Sequence, residues 1–252
     1  MKGEVIYLDA ARNLWENFEA MTDLSYVLRK GFEVCGVYTI DKGGSVRVFS
    51  DLEKLTRPES TAEHSARVAN LLSEIILWYP QYFVGVDRFL ALKTALNHDV
   101  GEIKVGDVCD DGGRAHDLKA DAEWAAVKDF YSNLPLEDQE RMLDYHRQFE
   151  DANTLLGQMI KMADKVDAIG KLILFEKRGL YGDIYLKEPP SERDINFAKE
   201  IGTGNCTDVW ARHLEWLFDT NDFRQPVIEI AKEFLAEGLL SIGRDFFPWW
   251  SI

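Results

Sequence analysis

Cysteine is scarce, with three in 252 residues. Cys35, Cys109 and Cys206 form no CxxC pair, which argues against a disulfide framework or a zinc knuckle and makes a reducing cytoplasm the expected compartment. Long apolar runs are also missing. No stretch approaches the roughly 20 uninterrupted apolar residues that a membrane span needs, and Met1–Tyr7 lacks the apolar centre of a signal peptide. No membrane association is expected. Positive charge is short as well: 29 Lys and Arg stand against 44 Asp and Glu, a net charge of −15. A protein that grips polymeric DNA or RNA needs clustered basic side chains to neutralise phosphates, so that class is excluded. A small anionic substrate stays open, because one bound metal and one or two arginines can dominate a local field. Internal repeats and low-complexity tracts are absent.

What remains is the composition of an ordinary globular chain, 46% apolar and 29% charged, able to bury a full core. The helical period dominates. Leu14, Phe18, Met21, Leu24 and Leu28 are spaced three and four apart and predict a helix over about 8–30. Two short alternating runs around Asp41–Gly44 then predict a small β-hairpin insertion at about 36–50. From Ser60 onward helix follows helix. Ser60 and Glu63 fit a capping box at the start of a helix running to about Tyr79, where Pro80 stops it. Further helices are expected over about 87–99, 118–132, 136–150 and 154–177, with a glycine-containing loop at 106–113 and two or three helices in the C-terminal quarter. The fold class is therefore all-α apart from the hairpin, with a main domain at 1–178 and a helical extension at 179–252 packed on it.

Three of these helices carry a metal-ligand type of residue within an apolar row. His64 continues into Val68, Leu72 and Ile76; His98 follows Leu90 and Thr94, and Asp99 follows Ala91 and Ala95; Asp164 sits among Leu156, Ile160, Ala168 and Leu172. Residues four apart share a helix face, so all four groups point coreward. Burying such a carboxylate is costly without a compensating cation or donors, and a metal is the natural compensation. Two nitrogens and two oxygens favour Mn, Fe, Co or Ni over a structural zinc. Asp167 competes with Asp164, but its row through Ala163 and Lys171 reads as the solvated edge.

The segments RPESTAEHS (57–65), ALNHDVGEIKVGD (95–107) and KMADK (161–165) stand in the order and spacing of the HD-domain superfamily, and the chain resembles its 5′-deoxynucleotidase branch. The HDxxE…GD run is the most specific part. The resemblance implies an HD-type helical bundle, a divalent metal on His64, His98, Asp99 and Asp164, hydrolysis of deoxynucleoside 5′-monophosphates, and a homodimer. It gives Glu102 a catalytic role, as general acid/base or through a second cation such as magnesium, and places Asp107 at the substrate or second-metal site. An Arg followed closely by an aromatic, here Arg29, Lys30 and Phe32, matches the family's phosphate-binding segment. Two rival readings follow from the same motifs. One is another HD chemistry, on nucleoside triphosphates, on phosphodiesters or with two irons, for which His116 and His146 would be the extra ligands. The other is a nucleotide sensor without catalysis.

Overall fold

The computed structural model describes residues 38–40, 46–48, 59–106, 114–177 and 223–240. The chain divides into two compact units. The described part of the first comprises 59–106 and 114–151; that of the second comprises the two strands, 152–177 and 223–240.

The first unit is a helical assembly. α1 (Thr61–Trp78) opens with the capping box read from the sequence. The Ser60 hydroxyl accepts from the Glu63 N–H at 3.3 Å, and the Ser60 N–H donates to Glu63 Oε2 at 3.0 Å, so two backbone donors of the first turn are satisfied reciprocally. Its apolar row is inside: His64, Val68, Leu72 and Ile76 are all buried. A 3₁₀ turn, Pro80–Phe83, follows directly, and it drives Phe83 into the core.

α2 (Arg88–Asn97) starts at Asp87, whose carboxylate accepts from the N–H groups of Phe89 and Leu90 at 3.1 and 3.2 Å. The same residue is tied to α5 (Leu136–Asp151): its N–H donates to Tyr145 Oη at 3.1 Å, and its other carboxylate oxygen accepts from Arg141 Nη2 at 2.7 Å. α2 stops at Asn97, short of the expected 99, and His98–Gly101 form a turn leading into the one-turn helix α3 (Glu102–Val105). Gly106 ends α3 at φ +76°, the left-handed region where glycine carries no Cβ penalty. α4 (Arg114–Tyr131) begins about one turn earlier than its apolar spacing suggested.

A core of Leu90, Val100, Val127, Tyr131 and Met142 joins α2, the turn after it, α4 and α5, with Ile103, Trp124 and Leu143 packed around it. Its apolar area is removed from water at about 25 cal/mol per Å², and this holds the His98–Gly101 turn in place. Gly101 matters here. A Cβ on it would lie 2.9 Å from Glu123 Cβ, so the turn approaches α4 more closely than any other residue type permits.

In the second unit, Tyr38–Ile40 and Val46–Val48 pair as antiparallel strands β1 and β2, with Tyr38 opposite Val48 and Ile40 opposite Val46. Their connecting residues lie outside the described ones. α6 (Leu155–Lys177) is capped by Thr154, whose hydroxyl accepts from the Gly157 N–H at 3.0 Å. It packs on α7 (Gln225–Leu240) through glycine seats: Gly170 faces the Phe234 ring and Gly238 faces Ile173. Gln158 ties together the segments that lead into α6 and α7, accepting from the Arg224 N–H at 2.9 Å and donating to the Ala152 carbonyl at 3.0 Å. Asp164 is buried in α6, as its row implied. Asp167 is buried too, which corrects the solvated edge expected for it. A 23-residue helix with Ala163, Val166, Ala168 and Ile169 all inside has a buried face broad enough to include both aspartates.

The expected first helix, the 106–113 loop beyond Gly106 and the aromatic C-terminus lie outside the described residues. Among those described, no helix is long and apolar enough to cross a membrane.

Candidate metal centre

The site is built from the start of α1 and the turn after α2. His64 lies one turn into α1, inside the part that Ser60 and Glu63 hold rigid. His98 closes α2 with helical backbone angles, φ −60° and ψ −33°, and Asp99 follows it. His64 and His98 are 1% and 3% exposed. Candidate ligand atoms of His64, His98 and Asp99 lie within 4.8 Å of one another.

Hydrogen bonding sets the tautomer of His98. Its Nδ1 is 2.7 Å from the Ala95 carbonyl oxygen, and a carbonyl can only accept, so Nδ1 carries a proton. In the neutral ring the lone pair is then on Nε2, which lies 3.2 Å from Asp99 Oδ1. His64 Nε2 is 3.7 Å from Asp99 Oδ2. A ring lone pair facing a carboxylate oxygen at such a distance is repulsive unless a proton or a metal cation intervenes. Ligands about 2.1 Å from one ion, at neighbouring corners of its coordination shell, stand about 3.0–3.4 Å apart. The His98–Asp99 spacing falls in that range and the His64–Asp99 spacing lies a little beyond it; the donor set suits a divalent cation, and a backbone carbonyl orienting an imidazole is the usual support for a metal-binding one.

Glu102 is 7% exposed. Its N–H donates to the Asp99 carbonyl at 2.9 Å, which keeps it one turn beyond His98 and Asp99, and its Oε2 accepts from the Thr61 hydroxyl at 3.1 Å. Glu59 is also buried and pairs with the Arg67 guanidinium, steadying the approach to α1 from outside.

Of the residues singled out from the sequence, the structure brings together His64, His98 and Asp99, with Glu102 beside them. Asp164 belongs to the second unit, where its Oδ2 pairs with Lys165 Nζ at 2.9 Å. Arg29, Lys30, Phe32 and Asp107 lie outside the described residues. His146 is fully buried on α5 among aromatic rings, with Trp124, Tyr131 and Phe149 centred 6.1, 6.5 and 5.9 Å away. It belongs to none of the ligand groupings among the described residues. Thr61 was not singled out from the sequence. It looks like any first-turn residue, and only a contact across 41 positions marks it.

The family model described as HD domain matches residues 49–187, more than half of the chain. The chain belongs to the HD-domain family. Within that frame it is 27% identical over 153 residues to the 5′-deoxynucleotidase HDDC2 of Dictyostelium discoideum, covering 58% of this chain and 76% of that protein. A solved structure from Magnetospirillum magnetotacticum, called a predicted metal-dependent phosphohydrolase, shares the fold. The TM-score is 0.55 at 15% identity, over 94% of this chain and 99% of that one.

Proposed function

We propose that this HD-domain protein is a metal-dependent phosphohydrolase that cleaves the phosphomonoester of a nucleoside or deoxynucleoside 5′-monophosphate, releasing nucleoside and phosphate. One observation carries the reading: His64, His98 and Asp99 cluster with ligand spacing in a chain of this family. The likeness to a 5′-deoxynucleotidase supports the substrate class. A divalent cation of the Mn, Co, Fe or Ni kind, when bound, supplies Lewis acidity toward the phosphoryl group and toward water.

The protein's own groups have separate tasks in this reading. His64 and His98 offer neutral imidazole nitrogens and Asp99 a carboxylate oxygen; the KMADK motif supports Asp164 as the fourth ligand. Glu102 takes the proton of the attacking water on its carboxylate. Arg29 offsets the charge that develops on the phosphate, and Lys30, Phe32 and Asp107 contact the substrate. The homodimer implied by the family resemblance completes the proposal, and light scattering of the eluting protein tests it.

The deciding experiment is a panel of nucleoside mono-, di- and triphosphates, assayed on protein of measured metal content with Mn or Co. Phosphate and nucleoside should appear from monophosphates, vanish after chelation and return with the metal. Release of tripolyphosphate from a deoxynucleoside triphosphate would move the protein to the triphosphohydrolases. Full activity in metal-free protein would overturn the reading.

A further inference from the structure

The geometry points to Thr61 as a positioning residue that holds the Glu102 carboxylate in its working orientation; the inference rests on the phosphohydrolase reading above. Glu102 stands on a helix of only four residues, between Gly101 and Gly106. So short a helix makes few backbone bonds of its own and does little to fix a long, flexible side chain. A contact from outside helps to fix it: the Thr61 hydroxyl donates to Glu102 Oε2 at 3.1 Å.

Thr61 is suited to that task. It is fully buried, so its hydroxyl has left water and its proton is committed within the protein. It is the first residue of α1, immediately after the Ser60 cap, and its β-branch restricts the side-chain torsion. His64 lies three residues on, on the same side of the helix. One capped turn thus carries a metal ligand and steadies the carboxylate that handles the proton, which keeps the two in register.

The test compares Thr61→Val, which keeps the shape and removes the hydroxyl, with Thr61→Ser, which keeps the hydroxyl. Thr61→Ala serves in place of valine if that variant does not fold. For valine, kcat should fall by about 10- to 100-fold, the usual effect of losing such a supporting bond. KM and the Co²⁺ affinity by titration calorimetry should stay near wild type, the melting temperature should fall by a few degrees as for any lost buried hydroxyl bond, and serine should restore most of kcat. In a Glu102→Gln background, Thr61→Val should cost little more, because the group it positions is already disabled. Where that background is too slow to read, the serine rescue decides.

An equal loss of kcat in both backgrounds, a serine variant as slow as valine, or an unchanged kcat in valine would overturn the role of Thr61 and leave the phosphohydrolase reading standing. A wild-type protein that releases phosphate from no member of the panel would overturn that reading and this inference with it.

Discussion

His64 and His98 meet edge to face, their ring centroids 5.2 Å apart and their planes at 68°, and the Asp99 carboxylate reaches toward both, one oxygen to each ring. Phe149 closes the far side of His98 with a second edge contact at 5.3 Å. The His98 ring is thus confined by packing as well as by its hydrogen bond to the Ala95 carbonyl, and His64 and Asp99 lie against it, so the three side chains are expected to fail together.

His64→Ala and His98→Ala should each abolish stoichiometric Mn or Co binding and lower kcat/KM by at least about 100-fold, the scale on which charge-stabilising groups act. Because the groups act as a unit, the double variant should be no slower than either single one. Metal analysis by mass spectrometry, run beside the phosphate assay, checks both points. Full metal occupancy in His98→Ala would contradict the assignment.

Gly101→Ala places a methyl 2.9 Å from Glu123 Cβ, with Glu123 backbone atoms at 3.1 Å. Backbone cannot swing away as a side-chain tip can, so the turn carrying His98 and Asp99 or helix α4 must shift. A loss of about 1–3 kcal/mol is expected, together with weaker metal binding. Urea denaturation measures the first and titration the second. A variant as stable as wild type would show that the turn has slack to accept the methyl.

Burial pushes the Tyr131 hydroxyl above the ordinary range, only partly offset by its hydrogen bond with Asn97. The sign follows from linkage. Below pH of about 10 both folded and unfolded chains keep the phenol proton and the group adds no pH dependence. Above it the unfolded chain ionises first, so stability falls by up to about 1.4 kcal/mol per pH unit from this group. Tyr131→Phe should flatten that alkaline decline while costing about 1 kcal/mol at neutral pH through the lost bond. Denaturation midpoints between pH 8 and 11 decide; an unchanged slope would assign the decline to other groups.

Ser60→Ala removes the hydroxyl that accepts from the Glu63 N–H and should lower stability by about 1 kcal/mol. Since Thr61 and His64 both stand in that turn, kcat and metal affinity should fall as well. Ser60→Thr, which keeps a hydroxyl that can both accept from the Glu63 N–H and donate to its carboxylate, should recover the stability. Calorimetric melting of the two variants provides the comparison.

Much of the helical layout could be read directly, because the signals are local. The Ser60–Glu63 capping box, the stop at Pro80, the Asp87 start and the 136–151 and 155–177 helices depend on neighbours a few residues apart. The apolar rows likewise showed that His64, His98 and Asp164 would be buried, since helical spacing assigns faces without knowledge of what covers them. Two expectations fared less well. Asp167 is inside, and α2 ends before His98, because the width of a buried face and the end of a helix depend on what packs against them.

By itself, then, the chain's order of residues determined the helical class, the family resemblance and the identities of the histidines and aspartate that cluster. Tertiary structure alone decided the distances among them, the closeness of Gly101 to Glu123, the aromatic enclosure of His146 and the bond from Thr61 to Glu102. Helix periodicity and capping act over three or four residues and are written in sequence spacing. A contact between residues 41 positions apart exists only once the core has brought two helix ends together.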